Sequence, residues 1–380
     1  CEGDPPQEAS RNGQPFAEPG SFPTNTVETP PGARPCGTFG TLRRPLPKGL
    51  PVPLPPRRSP LLALACALPL LLAGCAGEPA DAADGAPAHR VGFAPYVSAE
   101  SASALDATAH PDEYRLAFAV ADGGRCVPVW GGTEPVDDPA VARRAAGLRP
   151  VRVSFGGEAG TELARACGSV DELAAAYRRA LDAAGTDRAD FDIEGGTLGD
   201  EAAHARRAEA VARLQADTDL DVSVTLPVMP EGLEADAREL LRGLRAAGVR
   251  VGEVNIMTMS YGSAYPDAKG PMSAYGERAA RAAHGQLREL LGWSSRTAWK
   301  RLRLTVMPAV NDVPHETFTR ADARRTHEFA VRVGLGGLSQ WASFRDRPCA
   351  PDESSRERCT GVAQKKGDFA RLLAGGGAAD

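Results

Sequence analysis

From residue 89 onward, short apolar runs rich in Val, Leu and Phe alternate with longer Ala/Leu/Arg/Glu stretches of helical character. The short runs have strand length and the long ones helix length, so the pattern predicts parallel strands joined by helical crossovers. Strands are expected at 90–97, 114–120, 151–155, 188–194, 220–226, 251–259, 302–309 and 335–342. Between them the pattern predicts helices near 137–147, 170–184, 200–217, 231–248, 271–292 and 319–333, with a last one near 363–374. Eight such alternations predict an α/β fold of the (β/α)8 TIM barrel kind, forming a single catalytic domain over 89–375. An open doubly wound sheet shares the alternation but brings a glycine-rich phosphate loop after its first strand, and none follows here.

In a barrel the chemistry sits where strands end, so polar residues there call for a reason. The fourth expected strand ends Asp190-Phe191-Asp192-Ile193-Glu194. Side chains alternate along a strand, so the three carboxylates share one face at roughly 7 Å steps, and Phe191 and Ile193 take the other. With Phe191 and Ile193 toward the helices, the carboxylates line the barrel interior. Like charges so placed do not all ionise comfortably, and at least one proton is expected to remain in the row near neutral pH, as a general acid requires. Two other readings stand beside this one: a polar strand end paired with Lys or Arg, and a divalent cation site built on alternate carboxylates.

The segment Asp187-x-x-Asp190-x-Asp192-x-Glu194 resembles the complete signature of glycoside hydrolase family 18. Ser154-Phe155-Gly156-Gly157 on the third strand resembles the family's Ser-x-Gly-Gly, and Met259-Ser260-Tyr261 on the sixth resembles its Met-x-Tyr element. Gln340-Trp341 at the end of the eighth strand, Met307 with Asn311 and Asp312 after the seventh, and Trp130-Gly131-Gly132 after the second resemble further family segments. The resemblance runs over residues 90–373.

It implies a retaining chitinase that uses its substrate as the nucleophile. Glu194 would be the general acid and base, Asp192 would orient the substrate acetamide, Asp190 would share charge with Asp192, and Tyr261 would hold the acetamide oxygen. Trp341 would form the floor under the sugar. Ser154 would support the aspartate row, while Met259, Gln340, Asn311 and Trp130 would line or shape the cleft. Asp187, Gly156 and Gly157 would be structural members of the signatures. The partner implied is chitin or another N-acetylglucosamine polysaccharide, bound by a monomer without cofactor or metal. This chain departs from common family patterns in having Ser260 before Tyr261 and Gly262 after it. No long insertion separates strands seven and eight, which suggests an open groove and internal cleavage. Two variants of the reading are an endo-β-N-acetylglucosaminidase acting on N-glycans and a weakly active, chitin-binding lectin-like protein. Lectin members usually lose the acid that Glu194 provides here.

Composition adds compartment. The formal charge of −5 argues against nucleic acid or anionic lipid as partner. Residues 57–75 carry a basic pair, a short apolar run and small residues before Cys75, which is the pattern of an export signal. Leu72-Ala73-Gly74-Cys75 resembles a bacterial lipobox, so a lipoprotein signal over 52–75 with lipidation at Cys75 is expected, followed by a tether at 76–88. The product would stand on the outer face of the cell membrane, touching it only through the lipid, or be secreted. Residues 1–51 are Pro- and Gly-rich, show no periodicity, and are expected to be disordered or an upstream extension, since no Met precedes Met229 and Val52 or Leu54 would serve as a start. Beyond the signal lie Cys126, Cys167, Cys349 and Cys359, an even number that favours disulfides outside the cytoplasm. Nearness along the chain prefers Cys349 with Cys359, and so Cys126 with Cys167, among three pairings. A zinc site fares poorly, because these cysteines lack ligand-pair spacing and the six histidines are scattered.

Overall fold

The computed structural model describes residues 89–262, 271–313, 315–353 and 357–377. The expected extension at 1–51, the export segment with Cys75 and the tether at 76–88 lie outside the described residues.

The first strand is split at Pro95, which has no N–H to give a ladder. Its two halves, β1 (Gly92–Phe93) and β2 (Tyr96–Ser98), pair in opposite directions around the sheet. There follow β3 (Tyr114–Asp122), β4 (Arg125–Trp130), β5 (Glu134–Pro135), β6 (Val151–Gly156), β7 (Arg188–Asp192), β8 (Asp221–Pro227), β9 (Val251–Met257), β10 (Leu302–Val306), β11 (Ala309–Val310), β12 (Thr317–Phe318) and β13 (Gly337–Gln340). The parallel order runs β1-β13-β10-β9-β8-β7-β6-β3, and β2 returns to β3. Because β1 and β2 are one stretch of chain, the order closes on itself into an eight-stranded parallel barrel. The seam is tight at both edges: the Ala94 N–H donates to the Leu338 carbonyl at 3.0 Å and the Arg115 N–H to the Pro95 carbonyl at 3.0 Å.

The helices are α1 (Pro139–Gly147), α2 (Leu163–Ala166), α3 (Val170–Ala184), α4 (Glu201–Asp217), α5 (Ala235–Ala246), α6 (Met272–Leu291), α7 (Ser295–Arg301), α8 (Arg320–Val333) and α9 (Asp368–Leu373). Helix α3 shows why the sequence folds as it does. The Ser169 side chain caps its first turn by accepting from the Glu172 N–H, and Gly185 ends it in the left-handed conformation at φ 65°. Its buried stripe of Leu173, Tyr177, Ala180, Leu181 and Ala184 lies on the barrel's outer surface. There Tyr177 meets Phe155 of β6 and Phe191 of β7 at 4.8 and 5.1 Å between ring centroids. Phe191 is thus turned outward, and fully burying each such ring contributes about 1.5–3 kcal/mol.

The inside of the barrel is not the usual filling of Val, Ile and Leu. Arg115, Arg152 and Arg303 point into it and pair with Glu113 and Glu253. Four features depart from the alternation. Strand β3 turns back as an antiparallel hairpin with β4, so Trp130 sits in a strand rather than a loop. The sixth and seventh strands leave the ladder at Met257 and Val306, earlier than expected. Short helices α2 and α7 are additional, and the last helix begins only after Gly367, at φ 76°. Disulfides join Cys126 of β4 to Cys167 at the end of α2, and Cys349 to Cys359 in the segment between β13 and α9.

Candidate active site

The strand C-termini open into a cleft of about 430 Å³ whose lining includes Glu158, Asp192, Glu194, Met259, Met307 and Trp341. The carboxylate row of β7 climbs into it from below. Asp190 is fully buried and accepts from Ser154 Oγ at 2.8 Å, Thr225 Oγ1 at 2.8 Å and Tyr96 OH at 3.1 Å, while Arg115 Nη1 stands 2.9 Å from its other side. Asp192 is 3% exposed; one of its oxygens lies 3.5 Å from the Tyr96 hydroxyl, and the other, Oδ1, is buried without a hydrogen-bond partner. The Ile193 N–H still donates to the Thr225 carbonyl at 3.0 Å, and Glu194 is extended at φ −145°, so the strand alternation persists to the tip and delivers Glu194 to the cleft.

Burial pushes the Asp192 carboxyl well up, and the neighbouring charges of Glu194 and Asp190 push it further, outweighing Arg115. Burial also raises Glu194, with Glu158 adding to it, to about 7. One layer below, the balance reverses. Burial alone would raise Glu253, but the guanidinium groups of Arg303, Arg115 and Arg152 outweigh it and hold that carboxyl far below the usual range. Glu113 is likewise lowered, burial being outweighed by Arg152 at 2.8 Å. Above the level of Asp190 the row therefore retains protons, and below it Glu113 and Glu253 each have a cation.

The Ser-x-Gly-Gly segment has a steric basis. Gly156 (φ 100°) and Gly157 (φ 83°) occupy a region L side chains rarely adopt. A Cβ at Gly156 would lie 2.2 Å from the Asp192 carbonyl oxygen, and one at Gly157 would lie 2.8 Å from the Phe118 ring. The Gly157 N–H donates to that same Asp192 carbonyl at 3.0 Å. The glycines let β6 close against the backbone that carries Asp192.

Of the expected site residues, Glu194, Asp192, Met259 and Trp341 line the cleft, with Met307 and Asp312. Trp341 stacks on Phe118 at 5.3 Å between centroids and meets the edge of Tyr96 at 5.6 Å. Others lie elsewhere. Ser154 is wholly buried behind Asp190, so it supports the row rather than touching a ligand. Tyr261, expected to reach the substrate, is 3% exposed and lies near Tyr275 of α6, off the cleft wall. The reason is local: Ser260 takes a left-handed conformation (φ 52°), which breaks the alternation after Met259 and puts Ser260 on the cleft instead. Gln340 pairs in register with Val306 while its neighbour Ser339 faces Thr305, so Gln340 lies on the strand face opposite Trp341. Asn311 donates to the Met307 and Ala309 carbonyls, both at 3.0 Å, and shapes the loop without entering the cleft. Trp130 is fully buried in the hairpin, its Nε1 donating to Val136 at 3.4 Å. Asp187 lies outside the barrel mouth on Arg178 at 2.6 Å.

Tyr96, Arg115, Thr225 and Glu158 join the site from outside the expected residues. Arg115 did leave a trace, a charged residue inside the otherwise apolar run of β3. Asn255 donates to Thr225 Oγ1 at 3.0 Å and accepts from Thr305 Oγ1 at 2.9 Å.

No family model matches the chain. Over 277 residues it is 32% identical to the probable bifunctional chitinase/lysozyme of Escherichia coli K12, covering 67% of this chain and 31% of that protein. Over 277 residues it is 31% identical to endochitinase 11 of Metarhizium anisopliae, covering 68% of this chain and 53% of that one. The chain thus spans from about a third to about half the length of these curated relatives. Among solved structures, active domain 2 of the thermostable chitinase from Pyrococcus furiosus, a catalytic-site mutant complexed with chito-oligosaccharides, superposes with a TM-score of 0.67 at 26% identity, covering 76% of this chain and 95% of that one. The relatives and the superposition agree with the signatures on β6 and β7, and the chain belongs to the chitinase-like proteins of glycoside hydrolase family 18.

Proposed function

We propose that the protein is a chitinase, a retaining, endo-acting hydrolase of β-1,4-linked N-acetylglucosamine polymers. The observation that carries this reading is Glu194 at the cleft with its carboxyl pushed up to about 7, above a second buried carboxyl that also retains a proton. An acid so tuned both delivers and recovers a proton near neutral pH. Glu194 protonates the departing glycosidic oxygen while the acetamide oxygen of the same sugar attacks its own anomeric carbon, so that the C–O bond to the leaving sugar breaks as an oxazolinium ring forms. Water, deprotonated by the Glu194 carboxylate, then opens that ring with overall retention. Attacking and departing groups belong to one bound residue, which supplies the proximity. Asp192 Oδ1, buried and without a partner, is an acceptor for the acetamide N–H. The Trp341 ring, backed by Phe118, offers an apolar face to the sugar.

The chitinase names of the relatives support this reading. Export, with Cys75 as lipid anchor and the barrel acting as a monomer, belongs to the same proposal, and two disulfides favour an oxidising compartment. Incubation with defined N-acetylglucosamine oligomers, followed by mass analysis and NMR of the anomeric configuration, tests the function. Shorter oligomers with retained configuration are expected, while glucose oligomers and a high-mannose glycoprotein stay intact. Binding without products, or equal cleavage of glucose oligomers, overturns it.

A further inference from the structure

The turn that follows Glu194 has little of its own to hold it. Gly195 and Gly196 are exposed, and the space where a side chain would stand on either is open. The backbone bonds of this stretch close on themselves: the Thr197 N–H donates to the Glu194 carbonyl and the Leu198 N–H to the Gly195 carbonyl, both at 3.2 Å. On the strand side, the last backbone bond before Glu194 runs from the Ile193 N–H to Thr225. On the far side, the Leu198 side chain packs against the core and its carbonyl accepts from His204 Nε2 at 2.8 Å. Among the described residues that is the one hydrogen bond tying 194–198 to the rest of the fold.

His204 stands one turn into α4 and is itself braced from behind. A carbonyl oxygen only accepts and a guanidinium only donates, so the ring carries its proton on Nε2 and turns a bare Nδ1 toward Arg207 Nη1, 3.5 Å away. Burial and then the Arg207 charge hold the ring's pKa below its usual value, against the Leu198 carbonyl, Asp200 and Glu162, so the neutral form is the one present at pH 7. Arg207 is fully buried, and its Nη2 donates to Glu162 Oε2 at 2.8 Å. Glu162, the buried N-cap of α2 in the segment after β6, also accepts from the Tyr177 hydroxyl of α3 at 3.1 Å and the Ala164 N–H at 2.8 Å. The chain of contacts thus runs from α3 and the start of α2, through two residues of α4, to the backbone just beyond Glu194.

We propose that His204 is a positioning residue for Glu194: its ring, braced by Arg207 and Glu162, fixes the far end of the 194–198 turn and so holds the carboxyl at one height in the cleft. The kinetic consequence rests on the chitinase reading; the structural one does not. His204 is absent from the cleft lining and acts through the backbone. An acid followed by two glycines would otherwise swing with every rotation of their free backbone, and proton transfer needs its donor within hydrogen-bond reach of the glycosidic oxygen.

Two substitutions separate holding from mere filling. His204→Leu removes both the donor and the acceptor, whereas His204→Gln keeps one of each in an uncharged group. In His204→Leu, amide hydrogen exchange over 195–198 is expected to quicken about tenfold while the interior of α4 keeps its protection. On N-acetylglucosamine oligomers the same variant should lose about tenfold in kcat, with KM changed less than about twofold. His204→Gln should recover most of the protection and most of the turnover. A histidine that only fills space would lower the melting temperature and the active fraction, leaving kcat per folded molecule and exchange over 195–198 at their native values. The proposal is overturned if a folded His204→Leu keeps either native value, or if His204→Gln does no better than His204→Leu. If His204→Leu does not fold, His204→Ala takes its place under the same criteria. If the unmodified protein cuts no oligomer, the chitinase reading falls while exchange over 195–198 still judges His204.

Discussion

The lower interior of the barrel and its upper mouth are built from the same element, a carboxylate buried on a parallel strand, and they reach opposite electrostatic states. Below, Glu113 and Glu253 are crossed by Arg152, Arg115 and Arg303 and lie lower than ordinary carboxyls. Above, Asp192 and Glu194 are surrounded by Tyr96, Trp341 and one another, with no cation in the cleft lining among the described residues, and lie higher. Burial is common to both and favours the neutral form in both. What differs is whether a guanidinium was folded in with the acid. The paired layer holds strands together and stores no reactivity, whereas the unpaired layer costs stability and keeps a transferable proton.

Four measurements press on this contrast, the largest effect first. Glu194→Gln should lower oligomer hydrolysis by about 10²- to 10⁴-fold, with the melting temperature at neutral pH unchanged or raised, because a neutral amide relieves the crowded row. Near-normal turnover by that variant would remove the upper layer's assigned role. Arg152→Met should have the reverse signature, costing about 3 kcal/mol in chemical denaturation, since Glu113 and Asp221 lose a shared partner, while turnover per folded molecule is maintained. Gly156→Ala strikes the upper layer through its backbone: its Cβ collides with the Asp192 carbonyl in a left-handed backbone, which should cost about 2 kcal/mol and also depress turnover by displacing the row.

The smallest effect is a slope. Glu194 is raised from 4.5 to about 7 on folding, so its favourable contribution is fully present below about pH 4.5 and is lost as pH rises through about 7. Denaturation free energies of the native protein and Glu194→Gln should therefore run closely parallel below about pH 4.5, diverge between about 4.5 and 7 with the variant becoming the more stable, and run parallel again above that. Turnover that depends on protonated Glu194 should fall over the same upper limb. Parallel curves from pH 4 to 8 would place the carboxyl in an ordinary environment.

How much of this was legible beforehand follows the reach of each interaction. The facing of Asp190 and Asp192 inward, with Phe191 outward, needs only the alternation of one strand, and helix α3 needs only its own cap, stripe and terminal glycine; both were readable. The partners of the row were not, because Tyr96, Arg115 and Thr225 come from three other strands and meet Asp190 only when the ring closes. Tyr261 and Gln340 lie off the cleft lining for a shorter-range reason. The left-handed Ser260 breaks the alternation before Tyr261, and intact alternation on the last strand places Gln340 away from Trp341. Trp130 lies in a hairpin strand where a loop was expected.

The split first strand has one more consequence. Its β1 half grips the last strand through two residue pairs, Gly92 with Gly337 and Phe93 with Leu338, and three residues later the same stretch hands Tyr96 to Asp190. The clasp of the ring and a wall of the cleft are thus a single piece of backbone: the stretch that joins the last strand to the second also carries the phenol that covers Asp190, so closure of the circle and shelter of the carboxylate row are set by the same few residues.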